Sequence, residues 1–275
     1  MVFPDRPRAL ITGAGSGLGR ALAALLADRE ARVLVTDVRM DPAEETARVV
    51  RAKGAEAIVQ GLDVTDPEQW TAARETVAAA WGGLDILVNN AGVAVAGRTG
   101  EIPIEDWRWL MDINLWGVIH GCHTFVPMLR AQRSGSILNV ASSAGLLSAP
   151  ELGPYNVAKA GVISLSETLY GELKEDHVHT TALCPTFFRS ELFDRTRATN
   201  ADLRRITEKL IGQAGWTAEQ IADVALRGLE AGTTYEYIVG SPAADTWTEP
   251  AEFTTAPGEV VPFKFVYMGD AQNGL

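Results

Sequence analysis

Apolar residues recur along this chain in two alternating rhythms. Short unbroken apolar runs alternate with longer stretches in which apolar positions return every three or four residues. The runs from Arg8 to Thr12, Arg32 to Asp37, Glu56 to Gln60, Leu84 to Val88, Gly135 to Ala141 and Val178 to Cys184 predict buried strands. Between them the helical rhythm predicts helices over Arg20 to Arg29, Pro42 to Lys53, a segment capped by Asp66 and ending at Trp81, and a segment through Asp112 that continues past Val126. Gly153 and Pro154 open another helix, with proline in the first turn, where a missing N–H costs little. Its Val162, Leu165, Leu169 and Leu173 fall on one face and read as core. Thr217 with Gln220 caps a last helix ending near Ala231. Strand and helix in alternation imply an α/β fold, a doubly wound parallel sheet of about seven strands. Residues 1–240 form one domain on this reading, with Tyr235 to Val239 as the candidate last strand. Residues 241–275 lose the helical period, carry Pro242, Pro250, Pro257 and Pro262, and read as an irregular tail without a domain of its own.

The first strand runs into Thr12-Gly13-Ala14-Gly15-Ser16-Gly17-Leu18-Gly19 and then a helix. Glycines let the backbone turn sharply and approach a pyrophosphate, and the helix start offers N–H groups and a positive dipole end. Gly13, Ser16, Gly17, Leu18 and Gly19 are therefore the candidate phosphate cradle. The second strand ends at Asp37, where a carboxylate can accept both ribose hydroxyls of an adenosine and repel a 2′-phosphate. That predicts NAD over NADP, with Arg39 placed to soften the preference. Asp63 and Val64 follow the third strand, where an acid can meet the adenine amino group. The fourth strand closes on Asn89-Asn90-Ala91-Gly92. Its asparagines can tie neighbouring strands together, and Asn90, Ala91 and Gly92 border the cofactor.

The stretch from Ser142 to Lys159 carries the candidate chemistry. Tyr155 and Lys159 lie four apart on one helix and share a face. A free tyrosine titrates near ~10, and a fixed ammonium beside it favours the phenolate. A phenol tuned in this way is a general acid–base for a substrate oxygen, and a nearby serine can hold that oxygen while charge develops. The tyrosine–lysine spacing alone is a common solvated surface pattern. The glycine loop upstream gives it its meaning.

Lys plus Arg is 24 against 35 Asp plus Glu, a net charge of -11, which argues against nucleic acid and anionic membranes as partners. Cys122 and Cys184 sit in apolar runs and read as buried thiols in a reducing compartment. No apolar run reaches membrane-spanning length and Met1 to Arg8 lack a signal-peptide core, so a cytoplasmic location is expected. His120, Cys122 and His123 share a helix without an evident fourth ligand, so no metal site is expected.

With these motifs in order, the chain resembles the short-chain dehydrogenase/reductase family over roughly residues 8–240. The matching pieces are the glycine loop, Asn89-Asn90-Ala91-Gly92, Asn114, Ser142 and the Tyr155–Lys159 pair. The resemblance implies a Rossmann-like fold and hydride transfer between NAD(H) and a secondary alcohol or ketone. It implies that Tyr155 exchanges the proton, that Lys159 lowers its pKa and holds the cofactor ribose, that Ser142 positions the substrate oxygen, and that Asn114 holds a helix irregularity and a water linked to the lysine. It implies further cofactor contacts at Pro185, Phe188 and Ser190, although Thr186 stands where the family usually has glycine. Polar residues 191–214 would be a flap over the substrate, or an ordinary surface segment. Val93, Val95, Leu146 and Leu147 are the expected apolar pocket. A small alcohol or carbonyl substrate and a homodimer or homotetramer follow from the same likeness, with a non-catalytic nucleotide-binding protein as the alternative. Residues 232–255 resemble the edge of a fibronectin-like sandwich, and Phe263 to Gln272 resemble the first strand of a metallophosphoesterase, in the order seen in purple acid phosphatases. Asp270 alone cannot furnish a two-metal centre, so phosphatase chemistry is not expected.

Overall fold

A computed structural model describes residues 4–186, 188, 192, 196–199, 215–231, 240–241, 246–247 and 265–268. Seven strands form one parallel sheet: β1 (Arg8–Ile11), β2 (Arg32–Asp37), β3 (Glu56–Gly61), β4 (Ile86–Asn89), β5 (Gly135–Val140), β6 (Val178–Pro185) and β7 (Phe265–Met268). Their spatial order is β7-β6-β5-β4-β1-β2-β3. The chain builds outward from β1 to β3, then crosses back to β4 on the other side of β1. That reversal opens a crevice at the carboxyl ends of β1 and β4, the position where open parallel sheets hold ligands.

Both faces of the sheet are covered, which is why its strands read as apolar runs with little alternation. On one face α1 (Gly17–Ala27) and α2 (Met40–Ala52) pack through Leu22, Leu26, Ala47 and Val50. The helix Ala218–Ala231 joins them through Ile221 and Leu226. On the other face α3 (Pro67–Trp81) meets the helix Gly117–Gln132, with Trp70 edge-on to Phe125 at 6.3 Å between ring centres. The helix Gly153–Leu173 buries Val162, Leu169 and Leu173 there, while Leu165 is only partly covered. The caps form as the residues dictate. Asp66 accepts from the Glu68 amide, and Thr217 and Gln220 exchange reciprocal bonds.

Two expectations about the fold change. The first helix starts at Gly17 rather than Arg20, so the last glycines of the loop are already helical. The carboxyl stretch is not irregular throughout. Phe265–Met268 pairs in parallel with β6, Phe265 opposite Ala182 and Met268 opposite Pro185, and supplies the seventh strand. A four-residue apolar run is too short for periodicity to reveal, and its partner strand decides its state. Gly240–Ser241 pairs antiparallel with Thr246–Trp247. Tyr235 to Val239 and Asp270 lie outside the described residues.

Candidate active site

The loop after β1 is held by the loop after β4. Thr12 Oγ1 accepts from the amides of Asn90 and Ala91, and Asn90 Nδ2 donates to the carbonyls of Thr12 and Gly13. Asn90 thus ties strands through backbone, as its sequence position suggests. Asn89 does so through side chains instead. Its Nδ2 donates to Asn139 Oδ1 at 2.8 Å, and Asn139 Nδ2 reaches Ser166 Oγ.

The glycines are required by crowding. Gly13 has φ +61°, and a Cβ there would stand 2.9 Å from Ala91 Cα. A Cβ on Gly19 would stand 2.5 Å from the Gly13 carbonyl oxygen, a backbone atom that cannot swing away. The sequence therefore keeps side chains out of a loop that opens on a cavity of about 410 Å³.

That cavity brings most of the predicted residues together. Gly13, Ser16, Gly17 and Leu18 line one part, Asp37, Asp63 and Val64 another, and Asn90, Ala91 and Gly92 the floor between. Tyr155, Lys159, Pro185 and Phe188 line the far end. Gly19 is not in the lining and acts through packing. Ser190 and most of the 191–214 flap lie outside the described residues.

At the end of β2 the Asp37 carboxylate is buried. Its Oδ2 accepts from the Gly15 amide at 3.0 Å and its Oδ1 from the Arg39 amide at 2.9 Å. The Arg39 side chain reaches back, with Nε 3.5 Å from Asp37 Oδ1 and Nη2 3.4 Å from Ser16 Oγ. Asp63 Oδ1 is taken by the amide and hydroxyl of Thr65, so a ligand would meet its other oxygen.

At the opposite end Tyr155 and Lys159 point into the same cavity, both buried, with the ammonium 5.7 Å from the ring centre. Lys159 Nζ donates to the Val140 carbonyl at 2.7 Å. Burial pulls the lysine down to about 8, partly opposed by Cys184, so it is mostly protonated at neutral pH. Burial pushes the Tyr155 phenol up to about 12, opposed by a hydrogen bond with Ser142. This reverses the expected direction. In the protein alone, desolvation of the phenol outweighs the Ser142 hydrogen bond that opposes it, and Tyr155 is neutral. Ser142 receives the Ala144 amide at 3.2 Å and donates to the Pro185 carbonyl at 3.4 Å, which fixes its hydroxyl beside the tyrosine.

Asn114 is fully buried in a π-helical turn, Asp112–Trp116. Its side chain makes a reciprocal pair of bonds with one residue. Oδ1 accepts from the Val93 amide and Nδ2 donates to the Val93 carbonyl, both at 2.8 Å. A helix irregularity is therefore present, and the side chain braces the loop beside the cavity.

The apolar guesses fare unevenly. Val93 lines the cavity, whereas Val95 is buried in a strand pair with Arg197. Leu146 and Leu147 are exposed on the short helix Ala144–Leu147 and do not line it. Trp109, Ile113, Val140, Ala141 and Leu192 do, and none was singled out from the sequence. They lack polar chemistry and come from segments far apart in the chain, so no motif flags them. Among the described residues no trio of His, Cys, Asp and Glu could hold a metal. Cys122 turns to Asn89 and Asn139, while His120 turns to the Val64 carbonyl.

The residues fit a dinucleotide. The glycine loop packs so closely on Asn90 and Ala91 that its backbone borders the cavity, which a buried carboxylate, Asp37, and a buried ammonium, Lys159, also line.

Comparison with known proteins agrees with this geometry. A family model described as short chain dehydrogenase matches residues 7–201. The Mycobacterium tuberculosis protein SadH is 37% identical over 165 residues, which cover 60% of each chain. A cyclohexanol dehydrogenase of an Acinetobacter species is 34% identical over 185 residues, 67% of this chain and 74% of its own. A short-chain dehydrogenase/reductase from Burkholderia phymatum, solved with NAD, superposes with a TM-score of 0.80 at 33% identity over 84% of this chain and 88% of its own. These likenesses give no support to a phosphatase fragment, and the strand that suggested one lies in the dehydrogenase-like sheet. The glycine loop, the braced Asn114 and the buried Tyr155–Lys159 pair occur together inside the matched region, and the chain belongs to the short-chain dehydrogenase/reductase family.

Proposed function

We propose that the protein is an oxidoreductase that uses NAD in preference to NADP and interconverts a secondary alcohol and a ketone. The observation that carries this is the shared cavity, in which a buried Tyr155–Lys159 pair faces the same space as the glycine loop and Asp37. Bound there, a nicotinamide dinucleotide would supply or accept a hydride. Gly13, Ser16, Gly17 and Leu18 would hold its phosphates, Asp37 its adenosine ribose, and Lys159 its other ribose. Asp63, Val64, Asn90, Ala91, Gly92, Pro185, Phe188 and Ser190 complete the proposed contacts.

The chain's own residues handle the proton. Tyr155 Oη, neutral in the protein alone, donates to the substrate oxygen when a ketone is reduced. In the other direction it must take the alcohol proton, and the Lys159 ammonium is the nearby charge that favours the phenolate. Ser142 holds the substrate oxygen beside the tyrosine. Asn114 braces the Val93 backbone beside the cavity through its side chain, a supporting role next to the Tyr155–Lys159 pair.

The cofactor preference rests on Asp37. A 2′-phosphate would face a buried carboxylate, whereas ribose hydroxyls can donate to it. In an absorbance assay at 340 nm over a panel of secondary alcohols, kcat/KM should be at least about tenfold higher with NAD than with NADP. Asp37→Ser should narrow that gap by about tenfold, since it removes the carboxylate that would repel a 2′-phosphate and frees Arg39 to meet it. Equal or better use of NADP by the unmodified protein would overturn the preference. The absence of NADH production across the whole panel would overturn the redox reading.

Two broader readings belong to the same proposal. A soluble, cytoplasmic protein fits two free, buried cysteines, and no helix among the described residues is long and apolar enough to cross a membrane. A homodimer or homotetramer fits the half-exposed Trp116 and Val157, which such a contact would cover. Sedimentation velocity should give two or four times the chain mass, and a monomer at micromolar concentration would refute it.

A further inference from the structure

The substrate end of the cavity has a wall that the family motifs do not account for. Trp109, from the helix Ile104–Met111, lines the cavity beside Val93, Ile113, Phe188 and Leu192. It packs on the small apolar cluster that contains Tyr155 itself. The indole is also braced by a cation that is outside the cavity lining. The Arg197 guanidinium lies 3.7 Å from the ring centre, and its Nη1 donates to Asp106 Oδ1 at 2.6 Å. Asp106 sits one helical turn before Trp109, so arginine, carboxylate and ring form one brace. Arg197 is held there by backbone. Its amide donates to the Ala94 carbonyl, and the Thr199 amide to the Ala96 carbonyl, so this strand runs beside Val95–Ala96.

Arg197 would otherwise invite a different reading, a cation waiting for an anionic substrate. Its charge is already paired with Asp106 and its plane is laid on an indole. Arg197 is not itself in the lining; among the described residues the charged side chains that are comprise Asp37 and Arg39 at the end of β2, Asp63 after β3, and Lys159, which serves the tyrosine. Among the described residues, what remains of the lining near Tyr155 is largely apolar and partly aromatic, a surface suited to an uncharged body with a flat face.

We propose that Trp109, held in place by Arg197 and Asp106, is a specificity-determining platform on which the cyclic or aromatic body of an uncharged substrate lies while its oxygen reaches Tyr155. This rests on the redox reading of the same cavity, and it predicts a preference that the reading alone does not.

The test separates the two. Calorimetric titration of acetophenone and of acetone into protein saturated with NAD+ reads ketone binding without turnover, and oxidation of 1-phenylethanol and 2-propanol reads catalysis. Trp109→Ala should weaken acetophenone binding by at least about tenfold and lower kcat/KM for 1-phenylethanol by a similar factor, chiefly through KM. The values for acetone and 2-propanol should change less than about threefold. Trp109→Phe should keep most of the aryl preference, and Arg197→Gln should lose about threefold of it by freeing the ring. Trp109→Leu serves in the same way if the alanine variant does not fold, because it retains apolar volume without a flat face. Equal losses for aryl and small substrates, or no loss, would overturn the platform, as would failure of the unmodified protein to bind acetophenone. Binding of acetophenone that depends on Trp109 without any turnover would leave the platform standing and remove the redox reading.

Discussion

Tyr155→Phe should lower kcat for secondary alcohols by about 10³-fold or more, the upper range for loss of a positioned general acid–base. The fold should survive. The side chain is 8% exposed within an apolar cluster, so a phenylalanine ring fills the same space. What disappears is the hydroxyl that lies beside Ser142, a loss of about 1 kcal/mol in stability. NADH binding, followed by fluorescence, should stay within about threefold, because the proposed cradle is built from the glycine loop and Asp37 at the other end of the cavity. Turnover close to that of the unmodified protein would remove Tyr155 from the mechanism. A parallel collapse of NADH binding would instead make it a structural residue.

Lys159→Met separates the lysine's catalytic use from its cost to the fold. Turnover should fall by about 10²- to 10³-fold, since the phenolate loses its only close cation among the described residues. Stability should move the other way, or not at all. Exchanging a buried charge for an apolar side chain of similar size is often neutral or favourable, and only the hydrogen bond to the Val140 carbonyl is lost. The pH dependence gives the sharper reading. The folded lysine titrates near 8, below its ordinary 10.5. Between those values the unfolded chain binds more protons than the folded one, so this group makes stability rise with pH. Below 8 its full penalty is present, and above 10.5 the penalty is gone. Tyr155 acts oppositely but later. Its raised value stabilises the fold below 10 and that contribution fades as pH climbs towards 12. Denaturant unfolding from pH 7 to 9.5 should therefore show the unmodified protein gaining on Lys159→Met as pH rises. Parallel curves would mean that the ammonium is not desolvated in the unliganded protein.

The alternation of apolar runs and helical stretches was enough to name the sheet, its parallel strands and its two helical layers. Each strand is buried on both faces, and a run such as Arg32 to Asp37 has no other way to be satisfied. The glycine loop, Asp37, Asn90 and the Tyr155–Lys159 pair could also be read directly. Their chemistry depends on local geometry, a tight turn at Gly13 or one turn of helix between Tyr155 and Lys159, and local geometry is written in spacing. The phenol's acidity was misjudged for the protein alone because it depends on how much water is excluded from the site. Desolvation is a property of everything packed around Tyr155, and four residues of sequence do not contain it. The seventh strand was read as a strand only by its likeness to a metallophosphoesterase, and its place in this sheet was missed for a related reason. Phe265–Met268 is too short to declare itself and becomes a strand because β6 offers an open edge. Leu146 and Leu147 were drawn towards the cavity by composition and proximity to Ser142, yet the turn after Ser143 aims them outward. Trp109 and Ile113, one helical turn apart, and Leu192 reach the cavity from two distant parts of the chain. The residues proposed to do chemistry could be named from the sequence because each proposed role demands a particular group at a particular local spacing. The walls that choose a substrate demand only apolar surface from whichever segments the fold brings near, and that choice was made by tertiary packing.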